Sequence, residues 1–146
     1  MRNILITGAN GGLGRSIACE FLNKDPDDYL WLGVRSRRDR VNEVADQFPD
    51  RVSVVKLDVA DPSSWDSAVN MIIDKGGSID VLVNNAGGHN DGLVATMSDD
   101  AWHRVIDLNL NGVFYGCRKV TKPMLSQRSG RIINISSLSA LSAPLG

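Results

Sequence analysis

Apolar residues along this chain keep two rhythms, and the rhythms alternate. Ile4-Leu5-Ile6 is a short branched run of the kind that fills a buried strand. From Leu13 the spacing widens to three and four, through Ile17, Ala18, Phe21 and Leu22, which predicts a helix. Asp25-Pro26-Asp27-Asp28 breaks that pattern, and the alternation then repeats. Further strands are expected at 29–34, 52–57, 79–83 and 131–135. Helices are expected along Val41, Val44, Ala45 and Phe48, from Asp61-Pro62 to Gly76-Gly77, and from Ser98 to about Leu125. Asp61 and Ser98 are N-cap residue types, and proline at 62 suits a first helical position. Residues 136–146 read as irregular.

Strands that alternate with helices, and whose centres are nearly all apolar, imply a parallel sheet covered on both faces. The expectation is an α/β, Rossmann-like doubly wound sheet of strand order 3-2-1-4-5, with the first and fourth strands adjacent at the switch point. Ligands of such sheets bind outside the carboxyl ends of the strands. Those ends carry Gly8–Gly14, Arg35, Asp58, Asn84–Gly87 and Ser136-Ser137.

Length and composition narrow the classes. A chain of 146 residues fits one domain with a real core, and 42% hydrophobic with 23% charged residues is ordinary for a globular protein. A net charge of −1 argues against a general nucleic-acid binder. Cys19 and Cys117 fall in separate helical stretches and read as free thiols of a reducing compartment. No apolar run reaches membrane-spanning length, and the first strand follows Met1 too closely for a signal peptide, so a cytoplasmic location is expected. No Cys/His/Asp grouping has metal-ligand spacing. His103 reads as a surface residue and His89 as a loop histidine rather than an acid–base group.

The turn after the first strand carries the most chemistry. Thr7-Gly8-Ala9-Asn10-Gly11-Gly12-Leu13-Gly14 places four glycines between a strand and a helix N-terminus. The first helical N–H groups lack internal partners, and the missing Cβ atoms let a pyrophosphate approach the backbone. The spacing is T-G-x-x-x-G-x-G, not the general G-x-G-x-x-G. The bland alternative is a ligand-free strand–helix turn.

Thr7-Gly-x-x-x-Gly-x-Gly14, Leu57-Asp58-Val59, Asn84-Asn85-Ala86-Gly87, Asn109 within Asp107–Gly112, and Ile132-Ile-Asn-Ile-Ser-Ser137 stand in an order that resembles the short-chain dehydrogenase/reductase family over the whole chain. The resemblance implies a nicotinamide dinucleotide site. Thr7 and Gly8 open its fingerprint, and Asn10, Gly12, Leu13 and Gly14 would hold the pyrophosphate and adjacent ribose. Asp58 would accept from the adenine amino group, with Val59 packed on the ring. The backbone at Asn85, Ala86 and Gly87 would line the ribose, whereas Asn84 would tie the fourth strand to its neighbours. Asn109 would bend its helix and hold a proton-relay water, and Ser137 would hydrogen-bond the substrate carbonyl.

NAD sites place an acid about 20 residues past the glycines. Here Val34 is followed by Arg35, Arg37 and Arg38 instead. Cations at a helix start oppose its dipole, and a 2′-phosphate would reverse that penalty. The reading is therefore NADP(H) over NAD(H), with Arg35 the main contact and a solvated charge run the alternative. Gly11 departs from the Lys or Arg that many NADP-preferring relatives carry.

The family's catalytic Tyr would fall thirteen residues after Ser137, with a Lys four further on, and Gly146 precedes that position. Residues 142–146 align with its run-in. The dinucleotide domain is thus expected to be incomplete, lacking its last two strands, exposing the fifth strand as an apolar edge, and inactive by itself. The parent activity implied is NADPH-dependent reduction of a ketone to a secondary alcohol, closest to 3-oxoacyl-[acyl-carrier-protein] reductases. A reductase of another ketone or sugar is the near alternative, and a non-catalytic dinucleotide-binding module the distant one. Family members pair helices into homodimers or homotetramers, and the stretch from Ser98 to Leu125 would supply one face.

Overall fold

The computed structural model describes residues 1–140. Five parallel strands, β1 (Arg2–Thr7), β2 (Asp28–Val34), β3 (Val52–Lys56), β4 (Val81–Asn84) and β5 (Arg131–Asn134), form one sheet of order β3-β2-β1-β4-β5. This is the expected doubly wound order. The helices are α1 (Gly12–Lys24), α2 (Asp39–Gln47), α3 (Pro62–Gly76), α4 (Asp99–Ile106) and α5 (Gly112–Gln127).

The period of two along the strands divides the core. Ile4 and Ile6 face one side with Leu30, Leu32, Val81 and Val83, and α1 and α2 cover them through Ala18, Leu22, Val41 and Val44. Leu5, Trp31, Val55 and Leu82 face the other side, where Trp65, Val69 and Ile72 of α3 and Val120 and Met124 of α5 close over them. Trp65 is fully buried and its indole N–H donates to the Val59 carbonyl at 3.0 Å.

Local chemistry sets the helix ends as the sequence implied. The Asp61 carboxylate accepts from the Ser63 N–H at 2.9 Å with Pro62 behind it, and Ser98 Oγ accepts from the Ala101 N–H at 3.2 Å. Gly77 ends α3 in the left-handed region, at φ 78°.

One strand boundary needs correction, and two irregular turns fill in the pattern. The fourth strand begins at Val81, not 79; Ile79 is buried ahead of it, where its main chain is held by the Gln127 side chain. The helical stretch from Ser98 is interrupted where Asn109 was expected to bend it: residues Asp107–Asn111 form a π turn between α4 and α5. The loop before it carries a short 3-10 turn at Val94–Thr96 that the pattern did not indicate. At the far edge of the sheet, Ile132, Ile133 and Ile135 are exposed, as expected for an uncovered fifth strand. A 3-10 turn at Leu138–Ala140 follows. The stretch 142–146 lies outside the described residues.

Candidate functional site

β1 and β4 are neighbours whose chains leave the sheet in opposite directions, and the crevice between their carboxyl ends is held open by a specific lacing. Thr7 is buried, and its hydroxyl oxygen accepts from the N–H groups of Asn85 at 3.0 Å and Ala86 at 2.9 Å. The Asn85 carboxamide returns a bond to the Thr7 carbonyl at 2.9 Å and a longer one to Gly8 at 3.3 Å. Gly8 turns the chain at φ 62°, and a Cβ there would stand 2.8 Å from the Ala86 Cα. Only glycine fits that crossing without strain. The two turns are therefore one unit.

Beyond them opens a cleft of about 1110 Å³. Its walls include Gly8, Gly11, Gly12, Leu13 and Gly14 on one side, Arg35, Asp58 and Val59 along the rim, and Asn85, Ala86 and Gly87 beneath. Asn109 and Ser137 close the remaining side. The helix α1 begins at this cleft with no side chain capping it and no acidic residue in its first turn. Its first N–H groups and the positive end of its dipole therefore face the opening. A Cβ on Gly14 would collide with the Gly8 carbonyl at 2.6 Å, whereas one on Gly12 would meet nothing within 4 Å. Gly14 thus serves chain packing, and Gly12 leaves bare backbone at the helix start. Such a cradle fits a pyrophosphate.

The rim is charged in a definite pattern. Arg35 is exposed, and among the described residues no carboxylate lies within ion-pairing distance of it. Arg37 is tied to Asp39 at 3.2 Å, and Arg38 does not line the cleft. Asp58 uses one carboxylate oxygen to accept from the Ala60 N–H at 3.1 Å. Val59 beside it is buried.

Three of the expected site residues, Asn10, Thr7 and Asn109, spend side-chain polar atoms on the protein itself. Asn10 does not line the cleft; its carboxamide turns away to the start of α2, because that helix lacks a capping side chain of its own. Thr7 likewise reaches no ligand space, since its hydroxyl is consumed by the turn after β4. Asn109 sits in the π turn, which is the expected irregularity in its helix. Both of its amide hydrogens are committed, to the Gly88 and Val105 carbonyls at 2.8 Å each, so a relay water held here would donate to an oxygen of Asn109. Ser137 lines the cleft, exposed, its oxygen accepting from the Ser139 N–H at 3.2 Å.

Asn84 ties strands together as expected: its Nδ2 donates to Asn134 Oδ1 at 2.9 Å. His103 is an exposed residue of α4. His89 is a loop residue, and it does border the cleft together with Asp91, which sequence reasoning had not singled out. The signal for Asp91 was only its closeness to the Asn85–Gly88 turn. A Tyr and a Lys four apart do occur within the chain, as Tyr115 and Lys119 on α5. Neither lines the cleft: Tyr115 packs on the core beneath the sheet, and the Lys119 ammonium pairs with Asp66. Both thiols, Cys19 and Cys117, are free and half-buried. Among the described residues no cluster of three potential metal ligands exists, and no helix is long and apolar enough to cross a membrane.

A doubly wound sheet with a glycine-lined helix start at its switch point defines a dinucleotide-fold protein, and the comparisons narrow the class. Residues 2–145 match the short-chain dehydrogenase family model, and the chain belongs to that family. It is 35% identical over 139 residues to the 3-oxoacyl-[acyl-carrier-protein] reductase FabG of Chlamydia pneumoniae, covering 95% of this chain and 56% of that one. The FabG of Staphylococcus aureus is 37% identical over 138 residues, again covering 56% of its length. The chain thus spans little more than half the length of these curated relatives. Among solved structures, a short-chain dehydrogenase from Streptomyces avermitilis superposes with a TM-score of 0.87 at 29% identity, covering 95% of this chain and 51% of that one. ElxO with NADP bound superposes at 0.85 and 32% identity, covering 98% of this chain and 58% of that one.

Proposed function

We propose that this chain forms the dinucleotide-binding part of an NADPH-dependent reductase that converts a ketone to a secondary alcohol. A 3-oxoacyl group on a carrier protein is the leading substrate. The observation that carries the reading is the uncapped start of α1, with Gly12 open to the cleft that Asp58, Asn85 and Ser137 also line. The two FabG relatives favour the substrate, and the NADP in ElxO favours the cofactor.

In this reading the N–H groups of Gly12, Leu13 and Gly14 bind the pyrophosphate. Asp58 accepts from the adenine amino group through the carboxylate oxygen that Ala60 leaves free, and Val59 backs the ring. Arg35, without a carboxylate partner, meets the 2′-phosphate of the adenine ribose. The main chain at Asn85, Ala86 and Gly87 lines the ribose. When bound, the nicotinamide supplies a hydride to the carbonyl carbon. Ser137 donates its hydroxyl hydrogen bond to the carbonyl oxygen, which stabilises the negative charge that develops there. Asn109 positions the Gly87-Gly88 floor of the cleft.

The alkoxide also needs a proton from an acid of suitable pKa. Tyr115 and Lys119 do not line the cleft, and this reading gives the role to the Tyr that the family carries thirteen residues after the position of Ser137. The 146 residues alone are expected to bind dinucleotide weakly, if at all, and without turnover. Homodimers or homotetramers are the expected assembly of the full-length reductase, in the cytoplasm.

Fluorescence titration with NADPH and NADH tests the cofactor reading. NADPH should bind at least tenfold more tightly, and Arg35→Ala should erase most of that difference while leaving NADH within about twofold. Equal affinities in the unaltered chain would refute the arginine assignment. Appending the segment that carries the acid should restore reduction of a 3-oxoacyl thioester, and activity only on sugars would move the substrate elsewhere.

A further inference from the structure

α2 begins without a cap of its own. Its N-cap position is Arg38, whose side chain makes no capping bond. The N–H groups of Arg40 and Val41, the two that a capping side chain ordinarily takes, are instead accepted by Asn10 Oδ1 at 3.0 and 3.2 Å. Asn10 Nδ2 donates to Asp39 Oδ1 at 3.0 Å. A residue of the glycine-rich turn thus caps a helix some thirty positions away.

The connection between β2 and α2 is only the four residues from Arg35 to Arg38. One end is pinned by the sheet, where the Leu57 N–H donates to the Val34 carbonyl at 2.8 Å. The other end is pinned by Asn10. Arg35, which lines the cleft, stands on this short span. The nearest carboxylate in sequence, Asp39, is occupied by Asn10 and by Arg37, and so is kept from Arg35.

We propose that Asn10 is a positioning residue for recognition of the adenosine 2′-phosphate: by capping α2 from the glycine-rich turn it holds the span that carries Arg35 and keeps Asp39 away from that guanidinium. The proposal rests on the dinucleotide reading above and adds a residue to its selectivity. Without Asn10, the span loosens at its helical end and Asp39 is left with Arg37 as its one partner, with an oxygen free, four residues from Arg35, to compete with a phosphate for it. The pyrophosphate cradle does not depend on this carboxamide, because Asn10 does not line the cleft.

The test measures dissociation constants for NADPH and NADH with three forms of the chain: unaltered, Asn10→Ala, and the exchange Asn10→Asp with Asp39→Asn. The exchange keeps an acceptor for the Arg40 and Val41 N–H groups and a donor between the two side chains. Asn10→Ala should weaken NADPH at least fivefold and leave NADH within twofold. The exchange should return NADPH to within twofold of the unaltered chain, also if Asn10→Ala itself folds poorly. Equal weakening of both dinucleotides would overturn the proposal, since Asn10 would then act on the shared cradle. So would an Asn10→Ala chain that keeps its preference for NADPH; the dinucleotide reading would survive that result. An unaltered chain that binds neither dinucleotide even with the acid-carrying segment appended would remove both readings together.

Discussion

Asn109 holds the main chain of Gly88 at both of its polar atoms. Its Oδ1 accepts from the Gly88 N–H at 3.1 Å, and its Nδ2 donates to the Gly88 carbonyl at 2.8 Å. A second donation, to the Val105 carbonyl four residues back, anchors the same carboxamide to its own helix. The π turn from Asp107 to Asn111 is what brings this residue to the loop after β4. A Cβ on Gly87 would stand 2.9 Å from Asn109 Oδ1, so the fit leaves no slack at the neighbouring residue. The floor of the cleft is therefore set by a side chain on another element, not by its own turn.

Removing that grip should loosen the floor before it unfolds the chain. Asn109→Ala should lower the unfolding free energy by about 1 kcal/mol and speed hydrogen exchange at the Gly88 amide by about tenfold. Asn109→Asp should behave similarly, since a carboxylate cannot donate to the Gly88 and Val105 carbonyls. Gly88 exchange that stays as slow as before would show that the loop holds itself.

Two glycines two residues apart, Gly12 and Gly14, should respond in opposite ways. Gly14→Ala forces a Cβ against the Gly8 carbonyl and the Asn85 carboxamide, at 2.6 and 2.8 Å, and should cost roughly 1–3 kcal/mol. Gly12→Ala meets no atom within 4 Å, so thermal unfolding should be unchanged or slightly higher. Its loss should appear instead in dinucleotide affinity. A Gly12→Ala chain that binds as well as the original would mean that the cradle lies elsewhere.

At the opposite end of the sheet, the Asp28 carboxylate is fully buried and bridged at both oxygens by Arg2, at 2.7 and 2.8 Å. Arg2→Met would strand a buried charge. Removing one partner of a buried pair costs about 3–5 kcal/mol, and the half-exposed guanidinium brings the expectation down to about 2 kcal/mol. Urea unfolding monitored by tryptophan fluorescence reads this directly, and a loss under about 0.5 kcal/mol would place Asp28 in contact with water.

Acid should weaken the chain at two helix starts. The Asn10 carboxamide, and then Arg37, hold the Asp39 carboxyl below the usual carboxylate range. The Ser63 hydroxyl and N–H do the same for Asp61. A group depressed on folding contributes stability that is complete above its ordinary value and is lost as pH falls through its folded value. The loss should therefore begin below about pH 4. Asp39→Asn and Asp61→Asn should each flatten this acid limb of the unfolding midpoint against pH, while leaving the region above pH 6 nearly flat.

Much of the architecture was legible in residue order because two periods alternate. Branched runs such as Ile4-Leu5-Ile6 bury both faces, and that demands helices on each side. The caps at Asp61 and Ser98 act within one turn, so they too could be read locally. Boundaries were less legible where burial, not pairing, accounts for an apolar residue, as at Ile79.

The site divides along the same line. Sequence alone determined which residue types gather at the carboxyl ends of the strands, because a parallel sheet sends every odd connection to that edge. It determined that four glycines stand between a strand and a helix start, and that Arg35 stands where an acid would serve a 2′-hydroxyl; that Gly8 and Gly14 lack room for a Cβ was visible only in the packed chain. Only the tertiary structure decided where each side chain reaches. Asn10 turned to α2 because an uncapped helix start lay within its reach. Thr7 turned inward because the N–H groups of Asn85 and Ala86 needed an acceptor in a buried turn. Hydrogen-bond demand from distant segments is a property of the packed chain, and no local pattern carries it.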